Sequence, residues 1–416
     1  MKNFFVRILW NIVATLARVT LKRFKPRVVA ITGSVGKTSS KEAIFAVLSQ
    51  RYKTRRSRAN FNNELGVPLT IISGQKRMWR PAFLFWTWVI FVACLRILCG
   101  LKRFYSQMLV LEYGADKAGD ISYLLDIAKP SIAVISGIGA IPVHVENYAG
   151  GIDAVVREKG KLISGLSTHN HAVLNGDDAH VRELGKKTRG KITTYGFGED
   201  ADIRIINFAY VQKDARIEGI SFKLEKDGVS VPVSIKGAFS LSHAYALACA
   251  ASVASLCGIH LVEAGQALCN HYAPSQGRSV LLDGIKHTQL IDESYNSSPV
   301  ALEAALTTLS YASFRRRVAI VGDMLELGEY ALKAHEAMGS VAHRCVDILV
   351  TIGPRARFIA KGALKNGMTK DEVFSFETTQ EAEKEIEGII REGDLILVKG
   401  SRAMGLEGIV KDLIEL

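Results

Sequence analysis

Along this chain, short unbroken apolar runs alternate with stretches in which apolar residues recur every three or four positions. The early runs are "RVVAIT" (27–32), "MLVLEYG" (108–114), "SIAVISGI" (131–138) and "HAVLN" (171–175). A run that is apolar without alternation is covered on both faces, the condition of a parallel strand lying between helices. The spacing therefore predicts an α/β fold around a parallel sheet. After "YAPSQGRS" (272–279) the pattern restarts with "TQLIDESYN", a helix over 299–311, "RRVAIVGDM", a helix near 330–343, "DILVTIG", another helix and "DLILVKGSR". This is a second, Rossmann-like α/β unit of about 135 residues. The expected domains are an N-terminal helix over 1–25, a central unit over 26–280 with an apolar insertion at 79–105, and a C-terminal unit over 281–416. No internal repeat or low-complexity tract is visible.

Two segments depart from this alternation. In residues 3–22, Asn3, Arg7, Asn11, Arg18 and Lys22 form a polar stripe, and Phe4, Phe5, Ile8, Leu9, Ile12, Val13, Leu16 and Val19 fill the opposite face. That is the periodicity of an amphipathic helix. A secretory signal would need a small-residue cleavage site, and none precedes the glycine turn that follows. The second segment, "PAFLFWTWVIFVACLRILCGL" (81–101), is nearly long enough to span a bilayer. One crossing there would put Lys37 and the "LVLEYG" strand end on opposite sides of the membrane, which is impossible if both serve one site. The segment must then lie in the interface, re-enter or be buried; an interfacial helix is the favoured expectation and a buried helix the plain alternative.

Composition and charge sharpen this. With 416 residues, 48% hydrophobic and 23% charged, the chain is globular and long enough for two or three domains. Residues 1–25, 51–58 and 76–103 carry six, five and six cations and no acid, so the rest of the chain is net acidic although the whole is +12. Two of these basic stretches are interleaved with Trp, Phe, Leu and Ile, which points to an anionic membrane surface and away from nucleic acid. The six cysteines (Cys94, Cys99, Cys249, Cys257, Cys269, Cys345) contain no C-x-x-C pair, as in a reduced chain without a zinc site.

Candidate chemistry begins at Gly33-Ser34-Val35-Gly36-Lys37-Thr38, followed by Ser39. Glycines let backbone N–H groups approach a phosphate, the lysine neutralises β/γ oxygens, and the Thr38 hydroxyl reaches Mg²⁺. The other reading is a helix-entry turn with a chance lysine; the β-run before it and the helix pattern after it favour phosphate.

The loop with its Thr32 prefix, "TGSVGKTSS", resembles the Mur ligase family, ATP-dependent amide-bond formers of peptidoglycan precursor synthesis. The resemblance continues in order through "NFNNELGVPLTII" (60–72), "LEYGADKAGDISYLLDIAKPSIAVIS" (111–136), "VHVENYAG" (143–150), "EKGKLISGL" (158–166), "GR" (277–278), "IDESYNSSP" (291–299), "VGDMLELGEYALKAHEAMG" (321–339) and "VKGSR" (398–402). Within the family, "DESYNSSP", "GDMLELGE" and "KGSR" are most similar to the member that adds D-alanyl-D-alanine to UDP-N-acetylmuramoyl-tripeptide. By matching position the resemblance implies ATP and Mg²⁺ as cofactors, with Lys37 and Thr38 at the phosphates and the first Mg²⁺. Glu112 and His144 would be metal ligands. Lys159 would be carbamylated and hold a second Mg²⁺. Asn62 and Asn63 would face substrate, and Arg278, at the domain junction, would reach the γ-phosphate. Asp292, Glu293, Tyr295 and Asn296 would face the nucleotide, and Lys399, Ser401 and Arg402 the amine and acyl substrates.

The chain also departs from the pattern. Asp292-Glu293 stands where two aspartates are usual, Ser298 replaces an asparagine, "KGK" replaces K-G-E at 159–161, and His243 stands where a His-Asn pair is typical. About 25 residues precede the first strand, too few for a separate uridine-nucleotide-binding domain. The resemblance implies transfer of the γ-phosphoryl of ATP to a peptide carboxylate, then attack by D-alanyl-D-alanine. The enzyme is expected to be a monomer in the cytoplasm, held peripherally at the inner face of the membrane by segments at the N-terminal edge of the sheet. Other amide ligases of the superfamily (poly-γ-glutamate or folylpolyglutamate type), a membrane-associated P-loop kinase or NTPase, and a catalytically silent scaffold are the competing readings.

Overall fold

The computed structural model describes residues 2–58, 61–74, 81–100, 102–214, 216–312 and 314–414, with side chains from Ile8 onward. The first residue of the 60–72 motif, the start of the apolar insertion at 79–80, and the side chains of Phe4, Phe5 and Arg7 lie outside the described residues.

The first sheet grows from the predicted runs. Helix α1 (Lys2–Phe24) leads into β1 (Arg27–Thr32), followed by α2 (Lys37–Leu48), β2 (Thr54–Arg56), α3 (Gly66–Ile72) and α4 (Ala82–Leu98). Then come β3 (Met108–Glu112), α5 (Asp120–Ile127), β4 (Ile132–Ile135), α6 (Gly151–Ser164), β5 (His171–Asn175), α7 (Ala179–Gly185) and β6 (Lys191–Gly196). Strands β7 (Ile203–Lys213), β8 (Arg216–Lys226) and β9 (Val229–Lys236) precede α8 (Leu241–Leu256) and α9 (Leu261–His271). The strand order is β2-β3-β1-β4-β5-β6-β7-β8-β9. Pairing is parallel from β2 to β7, with Arg27 opposite Met108 and Ile31 opposite Glu112. Each run divides its side chains between two cores. Val29, Ile31, Met108 and Val110 pack under α2 and α8, whereas Val28, Ala30, Leu109 and Leu111 pack under α1 and α3 to α5.

Strands β7 to β9 are an antiparallel extension that the search for apolar runs does not find. The signal is of another kind. In β9, Val231, Val233 and Ile235 are buried while Ser230, Pro232 and Ser234 between them are exposed. Asp227 and Gly228, both at positive φ, close the β8–β9 hairpin, the two-residue turn whose twist suits a hairpin.

Helices α1 and α4 lie over one face of the sheet, and only their C-terminal ends reach its N-terminal edge, so the segments do not sit wholly at that edge as expected. Val13, Ala14 and Ala17 of α1 and Phe85, Val89 and Ala93 of α4 are buried in one cluster with α3 and α5. Within the segment at 81–101, α4 is therefore a packed helix with an exposed outer side. Among the described residues no helix is long and apolar enough to cross a membrane. Part of the basic charge is spent internally. Arg55 donates to the Thr70 and Ile71 carbonyls at 3.1 and 2.7 Å, and Arg96 to that of Ile72 at 3.3 Å, serving the last carbonyls of α3.

The second sheet comprises β10 (Val280–Gly284), β11 (Thr288–Glu293), β12 (Arg317–Gly322), β13 (Ile348–Ile352), β14 (Val373–Phe376) and β15 (Leu395–Lys399). Their order is β10-β11-β15-β12-β13-β14, parallel except for β10. Helices α10 (Pro299–Ser310), α11 (Ala331–Cys345) and α12 (Arg357–Lys365) cover one face, and α13 (Thr379–Ile389) and α14 (Glu407–Leu413) the other.

Candidate active site

The turn between β1 and α2 has backbone geometry that suits an anion. Gly33 and Gly36 have φ of 153° and 78°. A Cβ on Gly33 would lie 2.3 Å from Ser136 Oγ and 2.8 Å from the Gly137 carbonyl, so only glycine fits. The first helical bond of α2 runs from Ser40 N to Gly36 O, which leaves the amides of Lys37, Thr38 and Ser39 outside the helix's own ladder and available to an anion. The amides of Ser34 and Val35 are not available, because both donate to Gly137 O, at 2.7 and 3.3 Å. Anion binding by amides is thereby confined to the C-terminal half of the loop. The Ser34 hydroxyl is buried without a hydrogen-bond partner, a polar atom that a ligand would satisfy.

Two amines converge on this turn, Lys159 buried and Lys37 half-buried. Lys37 Nζ donates to Gly33 O at 2.7 Å, and Lys159 Nζ, from the interior of α6, donates to the same carbonyl at 3.3 Å. Burial first, and then the Lys37 charge, pull Lys159 down to about 7. Burial also lowers Lys37, and Arg278 adds to this while Glu112 opposes it. Beside the turn, Glu112 Oε2 accepts from Thr38 Oγ1 and Lys41 Nζ, each at 3.1 Å, and its Oε1 accepts from Asn62 at 3.3 Å. Burial pushes the Glu112 carboxyl up, but Lys41, Lys37 and Arg278 outweigh it and hold it below the ordinary carboxylate range. Lys41 is fully buried. It was not singled out from the sequence, where "KTSSKE" reads as an ordinary helix start. Asn63 stands apart from its neighbour: its side chain accepts from the Leu65 and Gly66 amides at 3.3 and 3.0 Å, capping α3.

His144 sits at the junction of the two sheets. Its Nε2 is 3.3 Å from Asp116 and its Nδ1 3.0 Å from Glu326, an acid of "DMLELGE". Nearby, the Gly328 amide donates to Glu146 at 3.3 Å, and Tyr330 packs on Val145, Tyr148 and Val155. Both ring nitrogens of His144 are thus engaged by carboxylates from different lobes. In α6, Lys161 pairs with Glu158 at 2.6 Å, and Glu158 accepts from the Ile121 amide at 3.0 Å, tying α6 to α5.

The linker carries Arg278 towards the same place. Its carbonyl is 3.0 Å from His243 Nε2, and His243 Nδ1 is 2.7 Å from the Tyr272 hydroxyl. A carbonyl can only accept, so Nε2 carries the proton and Nδ1 accepts from Tyr272. Burial keeps this histidine neutral by pulling it down to about 4. The Arg278 guanidinium stacks 4.3 Å from the centre of the Tyr295 ring, and Arg402 lies 5.2 Å from it and donates to its hydroxyl at 3.0 Å.

Parallel pairing of β11 with β15 sets Glu293 opposite Lys399. Their side chains meet at 2.7 Å, and the Ser279 hydroxyl donates to Glu293 as well. Lys399 also donates to the Asn296 carbonyl at 3.1 Å, and Asp292 accepts from the Gly277 amide at 3.0 Å. Ser401 accepts from the Leu325 amide at 2.9 Å. The motifs "DESYN", "KGSR" and "GR" are therefore one cluster. Ser298, one of the departures, caps α10 by accepting from the Ala301 amide at 3.3 Å, with Pro299 opening the helix. Asp323, also not singled out from the sequence, accepts from the Arg355 and Ala356 amides at 3.0 and 2.7 Å.

The Mur ligase middle domain model matches residues 96–252, and the model described as "Mur ligase, glutamate ligase domain" matches residues 277–402. Over 402 residues the chain is 29% identical to the UDP-N-acetylmuramoyl-tripeptide–D-alanyl-D-alanine ligase of Bacillus subtilis, covering 96% of this chain and 78% of that protein. It is 27% identical over 405 residues to the Escherichia coli protein of the same name, covering 96% and 79%. Among solved structures, MurF from Acinetobacter baumannii superposes with a TM-score of 0.78 at 24% identity over 96% of this chain and 79% of that one. MurF ligase from Thermotoga maritima, in complex with ADP, superposes with a TM-score of 0.76 at 22% identity over 97% and 83%. These two likenesses show a shared fold.

Proposed function

The chain belongs to the Mur ligase family, and from that premise we propose that it is an ADP-forming ligase joining D-alanyl-D-alanine to UDP-N-acetylmuramoyl-tripeptide in peptidoglycan precursor synthesis. The γ-phosphoryl of ATP passes to the terminal carboxylate oxygen of the tripeptide, giving an acyl phosphate and ADP. The amine of D-alanyl-D-alanine then attacks the acyl carbon, the carbon–oxygen bond to phosphate breaks, and the amine releases a proton.

The roles of the residues are part of the proposal. Residues 26–280 are read as the ATP-binding lobe and 281–416 as the lobe that brings the amine. The amides of Gly36 to Ser39 cradle phosphate oxygens, and Lys37 leaves the Gly33 carbonyl to spread the charge of the transferring group. Thr38 and Glu112 fit a Mg²⁺ ion, being hard oxygen donors that meet beside the cradle. A Mg²⁺ ion of this kind takes one or two protein oxygens together with phosphates and water. Such an ion neutralises phosphate charge. Lys159 as an amine does not suit Mg²⁺; as a carbamate it does. His144 becomes a ligand only when one of its two carboxylate contacts opens, and until then it positions the lobes. Asn62 orients Glu112, Arg278 faces the phosphates from the linker, and the Asp292–Asn296 cluster with Lys399, Ser401 and Arg402 receives nucleotide and amine.

The observation that carries the reading is Lys159, a fully buried amine 3.3 Å from the phosphate turn and drawn to about 7. A neutral amine can take up CO₂ as a carbamate, which turns it into an oxygen ligand beside the phosphate turn. The proposed location is the cytoplasm, held peripherally against the inner face of the membrane. Phosphate release measured with the tripeptide substrate and a panel of amines tests the chemistry. Release should require both the tripeptide and D-alanyl-D-alanine, and Lys37→Ala should abolish it with the fold intact. Release without any amine, or with glutamate preferred, would overturn the assignment.

A further inference from the structure

Packing separates α1 and α4 into two sides. Phe85, Val89 and Ala93 face the core, and Trp86 is half-buried against the same cluster. On the other side Trp88, Phe91 and Leu98 are 52%, 58% and 80% exposed, and Ile12 and Val19 of the neighbouring α1 are 42% and 40% exposed. This outer surface is broad, aromatic and without an acid. Its end is strongly cationic. Because α1 and α4 run into the adjacent parallel strands β1 and β3, their C-terminal ends share one edge, where Phe24 stacks on Tyr105 at 4.7 Å. Lys22, Arg23, Lys25, Lys102 and Arg103 are all exposed there, the Arg23 guanidinium lying against Gly100 at the end of α4.

We propose that this α1/α4 surface is a docking face for an anionic phospholipid bilayer, with both helices lying flat in the interface and the five cations on headgroup phosphates. The charge decides the occupant. A second copy seated face to face would bring two cationic rims together, while an anionic lipid surface complements the rim and accepts the aromatic side. For interfacial helices, buried apolar area and attraction to anionic lipid add together, and this surface offers both. The phosphate turn lies at the end of β1 away from the cationic rim, about 20 Å along a strand of this length.

This inference rests on the peripheral location proposed above but not on the reaction, and the two fail separately. The full chain is mixed with vesicles of phosphatidylcholine alone or with phosphatidylglycerol added, and co-sedimentation is measured. The chain should bind the anionic vesicles at least tenfold more tightly. Trp88→Ser with Phe91→Ser should weaken binding to both kinds, and Lys102→Glu with Arg103→Glu should remove the preference for phosphatidylglycerol. Both double variants should keep vesicle-free ligase turnover, which shows them folded. Absence of binding to anionic vesicles, or binding unchanged in both variants, overturns the docking face. So does a concentration-dependent dimer abolished by the Trp88 and Phe91 changes without vesicle binding. Vesicle binding without turnover would defeat the ligase reading instead.

Discussion

A primary amine ordinarily stays charged to about pH 10, and Lys159 departs from this because α6 carries it out of water to within 3.3 Å of Gly33 O, beside the Lys37 charge. The sign is simple. Below its lowered pKa of about 7 the group is an ammonium and cannot attack CO₂; above it the free amine can. At fixed dissolved CO₂, carbamate on Lys159 should rise from about pH 6 to about pH 8. A ¹³C-labelled carbamate signal in the protein, followed by NMR, should grow over that interval and be missing from Lys159→Ala. Short carboxylates should partly restore turnover to that variant. A signal that is flat with pH would leave Lys159 an ordinary buried lysine. At this scale the motifs were legible and their partners were not. "GSVGKT" announces a phosphate turn, but nothing in "KTSSKE" says that Lys41 turns inward to Glu112. Nor does "NFNNE" say that Asn62 reaches the acid while Asn63 is spent on capping α3.

Between residue and molecule lies the contact of "VHVENY" with "LELGEY". His144 bridges Asp116 and Glu326, Glu146 receives the Gly328 amide, and Tyr330 packs on Val145 and Tyr148. The two segments come from different lobes and meet as a clasp, one of several contacts across the junction. Removing a positioning contact of this kind misaligns reacting groups without touching them. Glu326→Ala should lower kcat about tenfold and leave nucleotide affinity nearly unchanged, because Glu326 touches neither the phosphate turn nor the Asp292–Asn296 cluster in the proposed reading. Steady-state kinetics beside a nucleotide titration would check the split, and equal losses in both would place Glu326 in the nucleotide site. Periodicity cannot reveal such a clasp, since the segments are about as irregular as any loop and lie far apart in the chain. The same limit explains α4. Its sequence is apolar all round, and only packing against α1 decides that Phe85 faces inward and Phe91 outward.

At the scale of the whole molecule, two sheets of unlike design share one linker. The restart of the apolar pattern after residue 279 marks the second sheet, but not the interface between the two, where Ile217 and Phe239 enter the second core and Gln289 bonds both backbone groups of Ile217. His243 holds the Arg278 carbonyl from the first lobe, and Asp292 holds the Gly277 amide from the second. Arg278 is thereby fixed at both flanks of the joint. Its guanidinium rests on Tyr295 yet is close enough to Lys37 and Glu112 to alter their titration. A cation so placed contributes little to holding nucleotide on one lobe and much to a charge that develops when both lobes close over the phosphates. Arg278→Ala should therefore cut turnover about a thousandfold while ADP affinity hardly changes. Arg278→Lys should recover only part of the loss, because an ammonium keeps the charge but not the planar stack on Tyr295. Single-turnover phosphate release and an ADP titration on the same preparations separate the outcomes. If ADP affinity falls as steeply as turnover in both variants, Arg278 is a static nucleotide contact and closure of the lobes is not what it serves.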